Sequence, residues 1–392
     1  MLAVWLIGSL SVLWVIHVIS LKKRFKGLPR VGMDPGFLGR KSNAAKDEFF
    51  HHGRRLMEEG YAKYKDTPYI IQTCDNERLV IPDKYIEELK NLPDSQLSFK
   101  EELLERFMGK YTKLDAVRGT NIHRDIVRQQ LTKNLDMILP QMKEEASLAL
   151  QRVLDFVQWL LDSAKGAEAN PEAIIMKVLF LIVAAMHTSA ITTIHALYDI
   201  CANAEFKEEL RAEAVEEMGK NGWSYKSMLR LHKMDSFLRE SGRVNSAGVV
   251  SFQRLTLAPI RLSNGFLVPA GTHICAASDA RSRDPMLYKS PTEFQPLRFY
   301  TPPTVTEYEP SGNTLFTSVA RGDSWFGAGR QACPGRWYAS AQIKLVLCLL
   351  LIDYEFEFPE GQKERPANWA KDEKMGPDME QFILVRRRAS HA

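Results

Sequence analysis

Residues 324–340 read SWFGAGRQACPGRWYAS and place one cysteine, Cys333, between a glycine-rich turn and an apolar stretch of helical character. Pro334 suits the first turn of that helix, where its missing N–H group costs nothing. A thiol at the start of a helix meets the positive end of the helix dipole, which favours the thiolate. The glycines of the turn, Gly329 among them, let a flat ligand come close to the backbone. The ring of Phe326 is placed to pack on such a ligand.

Two interpretations of Cys333 follow from these residues alone. A thiolate, a tight glycine turn and an aromatic wall are suited to an axial ligand of heme iron. A cysteine in such a loop is also commonly a small buried residue without a chemical role. Other stretches of the chain have to decide between the two.

Composition sets broad limits on the class of protein. The chain has 392 residues, of which 45% are hydrophobic and 26% charged, so it is globular and holds one large domain or two ordinary ones. The net charge of +4 is too small to indicate a nucleic-acid partner. The five cysteines are scattered, which is typical of a reducing compartment without a disulfide framework.

The N-terminus predicts a membrane anchor. The run from Leu2 to Ser20 has no acidic or basic residue apart from His17, and it is about long enough to cross a bilayer core. The cations of LKKRFK follow at once and should stay cytosolic, so the bulk of the chain should face the cytosol. The alternative is a cleaved signal peptide, which would carry its cations before the apolar run. We therefore predict an anchor over 1–20, a linker over 21–40 and a catalytic domain over 41–392.

Periodicity predicts a mainly α protein with small peripheral β-sheets, an α+β class. The predicted helices cover 43–64, 82–93, 121–159, 177–201, 227–244 and 335–358. The predicted strands cover 68–73, 77–81, 250–257, 260–275 and 382–387. The helix over 177–201 is strongly apolar and is expected to be central.

Two further motifs bear on Cys333. Glu240 and Arg243 in ESGR are three residues apart and therefore neighbours on one helix face. Arg298 in EFQPLRFY lies in a Pro-x-Arg-Phe setting, where it can complete a buried network with Glu240. The alternative is a surface ion pair, which stabilises little.

The sequence resembles the cytochrome P450 family, because it carries four motifs of that family in the same order. They are the long helix with a threonine, Glu-x-x-Arg, Pro-x-Arg-Phe, and Phe-Gly-x-Gly followed by Cys-Pro-Gly-Arg. The resemblance implies that fold, heme b (iron-protoporphyrin IX) and a monooxygenase that inserts one atom of O2 into a small apolar substrate. It also implies an NADPH-cytochrome P450 reductase as electron donor and a single-pass position in the endoplasmic reticulum membrane. The stretches AAMHTS and FQRLTL are most similar to filamentous-fungal enzymes that oxidise terpenoid or indole-terpenoid secondary metabolites.

The resemblance also implies roles for single residues. Cys333 matches the proximal thiolate that binds the iron, and Thr188 matches the threonine that holds water near bound dioxygen. Glu240, Arg243 and Arg298 match the buried network that braces the cysteine loop. The remaining cofactor-binding candidates are Phe326, Gly329, Arg330, Arg128 and Arg254. For Arg128 and Arg254 the alternative is that each is an ordinary arginine solvated at the protein surface.

Three departures from the family pattern stand out. His187 replaces the acidic residue before the threonine, where it can relay protons or simply be a satisfied helix histidine. Gln331 replaces a basic residue near the cysteine, where its amide can still donate to a heme propionate. The segment between His123 and His187 is far shorter than in the family, with a junction near 151–155. Several helices of the distal, substrate-covering region are therefore expected to be absent.

This shortening leaves three functions open. The first is a working monooxygenase with a remodelled, open pocket. The second is an inactive relative with an internal deletion, arising from splicing, gene prediction or decay of a paralogue. The third is a membrane-anchored heme binder without enzymatic activity. Loss of packed helices should expose apolar surface, which favours the second and third.

Overall fold

The computed structural model describes residues 25, 27–34, 40–119, 121–142, 156–302, 315–319 and 325–389. The predicted anchor over 1–20 and the predicted junction near 151–155 lie outside the described residues.

The described helices follow the hydrophobic periodicity closely. In chain order they are α1 (Arg40–Lys63), α2 (Asp83–Leu89), α3 (Phe99–Arg106), α4 (Gly109–Thr112), α5 (Ile122–Ile126), α6 (Leu135–Met142), α7 (156–163), α8 (Pro171–Ala202), α9 (Ala204–Asn221), α10 (Tyr225–Leu229), α11 (His232–Val244), α12 (Ser278–Ser282) and α13 (Arg336–Asp353). A π turn over Val127–Leu131 continues α5, and short 3₁₀ turns cover Leu114–Val117, Gly166–Ala169 and Gly329–Gln331.

Twelve short strands form one larger sheet and three two-stranded ribbons in the described part of the chain. They are β1 (Arg30–Val31), β2 (Tyr69–Gln72), β3 (Glu77–Val80), β4 (Leu97–Ser98), β5 (Ser251–Thr256), β6 (Ile260–Arg261), β7 (Leu267–Val268), β8 (His273–Ala276), β9 (Tyr354–Glu357), β10 (Trp369–Lys371), β11 (Lys374–Gly376) and β12 (Leu384–Arg387). The larger sheet has the order β1-β2-β3-β8-β5-β4, with parallel pairing of β1 to β2 and of β3 to β8. The predicted class, mainly α with small sheets, is confirmed.

The main hydrophobic core lies among α9, α11, α13 and the C-terminal third of α8. Leu210, Phe237 and Leu347 are fully buried there, together with Ile200 of α8. This core holds α11 and α13 in fixed positions, and these helices carry or adjoin the residues predicted to bind and brace a cofactor.

α8 begins with a regular cap, since the Asn170 side chain accepts from the N–H of Glu172 at 2.9 Å and Pro171 occupies the first turn. Its seven consecutive residues 182–188 are all exposed. By length and composition α8 is the helix among the described residues that is long and apolar enough to cross a membrane. Its burial in the core from His195 to Ile200 shows instead that it is part of the folded domain.

Two predicted elements were wrong in detail. The predicted helix over 335–358 ends at Asp353, and Tyr354–Glu357 forms β9, which pairs antiparallel with β12. Alternating aromatic and acidic residues have the strand period of two, and the apolar run before them masked that change. The predicted helix over 227–244 is divided into α10 and α11, and α9 was not predicted as a separate helix.

Candidate functional site

The loop around Cys333 is held by its own backbone. The N–H of Cys333 donates to the carbonyl of Phe326 at 2.8 Å. The Phe326 ring meets Phe316 edge-on, with centroids 5.1 Å apart, and so joins the main core. α13 begins at Arg336, so Cys333 lies just before the helix rather than in its first turn. The loop is therefore anchored on one side by an aromatic pair and on the other by a core helix.

The Cys333 sulfur lies in a mixed electrostatic environment. Burial raises the pKa of the thiol above its ordinary value, while N–H groups of Gly335 and Arg336, with the charges of Arg336 and Arg128, act to lower it. The expectation that the helix start would favour a thiolate is thus outweighed by burial. A metal ion displaces such a proton on coordination, and the N–H donors then stabilise the charge left on sulfur.

Arg336, which follows this loop, has a buried donor without a partner in the described part of the chain, a feature that fits an anionic ligand. The buried Nε of Arg336 has no hydrogen-bond partner among the described residues, and neither do Nδ1 of His123 and Nε of Arg124. Arg128 is exposed, and its Nη2 lies 3.5 Å from the carbonyl of Arg330. Buried donors without partners are costly, so a ligand with carboxylates, such as heme with its propionates, suits them.

Arg254 adds a second indication of the same kind. It is 5% exposed and makes no ion pair with any described residue. Burial lowers its pKa to about 10, with only partial relief from Glu102 and Asp94. Its guanidinium lies 5.3 Å from the ring centroid of Phe99. A buried arginine without a carboxylate partner fits an incoming carboxylate.

Gln331 does not serve the role predicted for it. Its Nε2 donates to Asp94 Oδ1 at 2.5 Å and to the carbonyl of Leu97 at 3.0 Å. Its Oε1 accepts from the N–H of Phe99 at 3.0 Å. The amide therefore ties the cysteine loop to β4 and α3. It does so because it bonds the Asp94 side chain and the backbone groups of Leu97 and Phe99. It also places Phe99, and with it Arg254, beside the loop.

The Glu240, Arg243 and Arg298 side chains come together as the motifs predict. Arg243 donates through Nε and Nη2 to the two Glu240 oxygens, each at 2.8 Å, and Arg298 Nε lies 3.0 Å from both oxygens. Side-chain exposure is 0% for Glu240, 1% for Arg243 and 9% for Arg298. The remaining guanidinium groups donate to the carbonyls of Ser282, Lys289, Ser290, Pro291 and Glu293. This is a buried network rather than a surface ion pair, and its role as a brace for the cysteine loop stays a prediction.

A second buried ion pair was not predicted. Lys344 of α13 bonds Asp235 of α11 at 2.7 Å and the carbonyl of Met228 at 2.7 Å. The signal was present in the sequence, because Lys344 is a lone charge within the apolar run IKLVLCLLLI. A single buried charge in an apolar helix face requires a partner.

Thr188 and His187 lie on the exposed middle of α8. The Thr188 hydroxyl donates to the carbonyl of Ala184 at 2.8 Å. Neither residue makes a hydrogen bond or ion pair with the Cys333 loop in the described part of the chain. No group of three His, Cys, Asp or Glu side chains suited to a metal ion is found among the described residues.

Gly329 offers a test of how tightly the loop is packed. It has φ +63°, and a Cβ there would lie 2.3 Å from the Lys90 carbonyl oxygen. We expect Gly329→Ala to lower the free energy of unfolding by about 2–4 kcal/mol, from left-handed strain plus overpacking. Urea unfolding measures this.

The matched control is Gly327→Ala in the same loop. Gly327 has φ +72°, but its nearest neighbours would lie 3.6 and 3.7 Å from a Cβ. It carries the backbone strain without the clash, so we expect a loss of only about 1 kcal/mol. Equal losses in the two variants would contradict the close packing against Lys90.

Comparisons with known proteins show which family this chain matches. The family model described as Cytochrome P450 matches residues 93–376. The ent-kaurene oxidase P450-4 of Gibberella fujikuroi is 27% identical over 98% of this chain and 98% of its own length. Cytochrome P450 monooxygenase paxP of Penicillium paxilli is 37% identical over 88% of this chain and 87% of its own length. Cytochrome P450 monooxygenase AtmP of Aspergillus flavus is 26% identical over 96% of this chain and 92% of its own length.

The alignments also measure the shortening of the chain. The alignment with the ent-kaurene oxidase spans 499 positions and includes 98% of this chain, about 384 of 392 residues, so about 115 positions hold no residue of it. The alignment with paxP spans 459 positions and includes 88% of the chain, about 345 residues, which again leaves about 114. The relatives thus carry about 115 residues that this chain lacks within the matched region.

Proposed function

The chain belongs to the cytochrome P450 family, and from this premise we propose that it is a heme-thiolate monooxygenase with Cys333 as the iron ligand. The observation that carries the proposal is the Cys333 loop itself. Its backbone is fixed by the N–H of Cys333 donating to Phe326, the N–H groups of Gly335 and Arg336 act to lower the pKa of its thiol, and the buried Nε of Arg336 has no partner among the described residues. This arrangement suits a planar anionic cofactor bound through sulfur.

The cofactor we propose is heme b. Cys333 would bind the iron, Phe326 would pack on the ring and Gly329 would keep the loop tight. Arg254 and Arg128 would donate to the propionates, with Arg330 beside them. When bound, thiolate-ligated heme supplies the activation of dioxygen.

On the opposite side of the cofactor, α8 would supply the proton-handling groups. The hydroxyl of Thr188 donates to Ala184, so its oxygen still has lone pairs to accept a hydrogen bond from a water molecule. His187 precedes it on the same turn, and imidazole is the side chain suited to relaying protons near neutral pH. The two residues would hold and pass protons to the reacting oxygen.

The proposed substrate is an apolar secondary metabolite of terpenoid or indole-terpenoid type. Support comes from the ent-kaurene oxidase, whose name states a diterpene substrate, and from the exposed apolar middle of α8. Charged groups are few along that helix, which suits a hydrocarbon skeleton rather than a polar one.

The proposed electron donor is an NADPH-cytochrome P450 reductase that docks on the face carrying the Cys333 loop. Arg330 and Arg336 lie there and suit an acidic partner surface. Arg321, a third arginine near the loop in sequence, lies outside the described residues. We further propose a single-pass position in the endoplasmic reticulum membrane, with this domain in the cytosol and an anchor over 1–20.

A second candidate is an internally shortened relative that binds heme without turnover or no longer binds it. Two observations favour it: the absence of about 115 aligned residues and the exposure of residues 182–188 of α8. We propose that the missing segment left the chain near 151–155. Sequencing of transcripts across the codons for 143–155 tests this, since a transcript that carries the missing segment would contradict it.

The deciding experiment is the visible spectrum of the reduced, CO-bound full chain, followed by turnover of a diterpene hydrocarbon with the reductase. A red-shifted thiolate-type Soret band with product formation supports the monooxygenase. The same band without product supports the heme binder. Purified protein that retains no heme contradicts both the monooxygenase and the heme binder, and supports a shortened relative that no longer binds heme.

A further inference from the structure

One face of α8 carries a continuous apolar stripe. The stripe consists of five residues spaced i, i+4, i+7, i+8 and i+11, which therefore share one side of the helix. They are Ile175, Leu179, Ile182, Val183 and Met186. Their side chains are exposed by 56%, 49%, 38%, 59% and 65%. Stripes of this kind normally face a partner or an apolar medium.

This stripe points away from the proposed cofactor. At 100° per residue, Ala184 and Thr188 each lie about 160° around the helix from Met186. A ligand bound on the Thr188 side therefore leaves the stripe exposed. The buried segment from His195 to Ile200 fixes α8 in the domain, so the helix can lie on a membrane but cannot cross it.

Beside the stripe stands a loop of different composition. Phe107, Met108 and Tyr111 are exposed by 50%, 64% and 80%, and Lys110 and Lys113 between and beyond them are exposed as well. Aromatic side chains next to lysines are typical of the boundary between acyl chains and head groups.

Loop and stripe belong to one surface. Lys113 forms an ion pair with Glu172 at the first turn of α8. Glu172 lies about 60° around the helix from Ile175, on the stripe side. Immediately after the loop, Leu114–Val117 packs on α8. The loop therefore stands at the N-terminal end of the stripe.

We propose that this surface, formed by residues 107–113 and the α8 stripe, docks on a lipid bilayer with anionic head groups, independently of the N-terminal anchor. The lysines would bind head groups while Tyr111, Phe107 and the stripe enter the acyl boundary. Two copies of this chain are a poorer match, because packing this surface on itself would bring its lysines together. The predicted anchor over 1–20 ends only a few residues before the first described residue, so the domain would be tethered close to the membrane.

The test places the photoreactive residue p-benzoylphenylalanine at Tyr111 or at Met186 in the full chain. The protein is reconstituted in phosphatidylcholine vesicles with or without phosphatidylserine. Met286 serves as the control, because it is exposed by 82% but lies two residues from Asp284, which accepts a hydrogen bond from Tyr61 of α1. After illumination, mass spectrometry counts lipid adducts at each position.

We expect about tenfold more lipid adduct at Tyr111 and Met186 than at Met286. Phosphatidylserine should raise the yield at Tyr111 about threefold, and Lys110→Glu should remove that increase. Equal yields at all three positions would overturn the proposal. So would an adduct of Met186 with a second copy, or with peptide 143–155 of its own chain, since either would show a protein cover on the stripe.

Discussion

Cys333→Ala is expected to remove the thiolate-type Soret band of the reduced, CO-bound protein completely. The sulfur is the only group in the loop that can bind iron as a thiolate, and alanine leaves no ligand of any kind. The N–H groups of Gly335 and Arg336 that meet the sulfur would then face an apolar methyl group. Heme content should fall at least about tenfold, because a metal–ligand bond contributes strongly to retention. The measurement is absorbance of the purified variant, with heme extracted and quantified.

The control for this variant is Cys201→Ala. Cys201 is also a half-buried free cysteine, but it lies at the C-terminal end of α8, in contact with the main core. The Cys201→Ala protein should keep the thiolate-type Soret band and lose only a fraction of its stability. Because a failure to fold would also remove the band, both variants are compared by circular dichroism and thermal unfolding. A thiolate-type band in folded Cys333→Ala protein would refute the assignment of the ligand.

The site residues were predictable where the chemistry is local. The glycine turn and Cys333 are contiguous, and the spacing of Glu240 and Arg243 follows from helix geometry alone. Gln331 was not predictable, because its partners Asp94 and Leu97 are more than two hundred residues away in sequence. A side chain that bonds distant backbone groups leaves no periodic trace.

The fold shows the same division between local and distant causes. Helices such as α8 and α13 have strong apolar patterns, and one end of each was predicted to within one residue, whereas the start of α8 and the end of α13 were missed by six and five residues. β9 was read as helix because only its pairing with β12 makes Tyr354–Glu357 a strand. Tertiary pairing overrides local preference in short segments of this kind.

The loss of cover over the central helix stays a prediction, and the burial of that helix is the observation that bears on it. An apolar run such as 177–201 predicts a buried helix, yet residues 182–188 are exposed throughout. The relatives carry about 115 residues within the matched region that are absent here. Exposure of an apolar segment therefore depends on the surrounding structure, which the apolar pattern of the segment does not encode.

Glu240→Gln is expected to lower the free energy of unfolding by about 3–5 kcal/mol, because it leaves Arg243 and Arg298 buried without a carboxylate. The amide keeps the shape of the side chain, so the loss reports charge rather than a cavity. Arg298→Ala should cost less, since Glu240 keeps both hydrogen bonds to Arg243. Urea unfolding of the full chain in detergent measures the free energy of unfolding of each variant. That free energy should be lowest for Glu240→Gln, higher for Arg298→Ala and highest for the wild type.

Glu293→Gln is the matched control, because it removes the carboxylate of a residue whose backbone belongs to the same network. The Glu293 side chain is bonded by Gln295 Nε2 at 3.1 Å at the surface, whereas its carbonyl, which the substitution leaves intact, accepts from both arginines. We expect a change within about 0.5 kcal/mol, as is usual for exposed positions. If the network braces the cysteine loop, Glu240→Gln should also retain less heme than Glu293→Gln at equal folded fraction. Equal heme retention would separate the network from the cofactor site and leave it a role in stability alone.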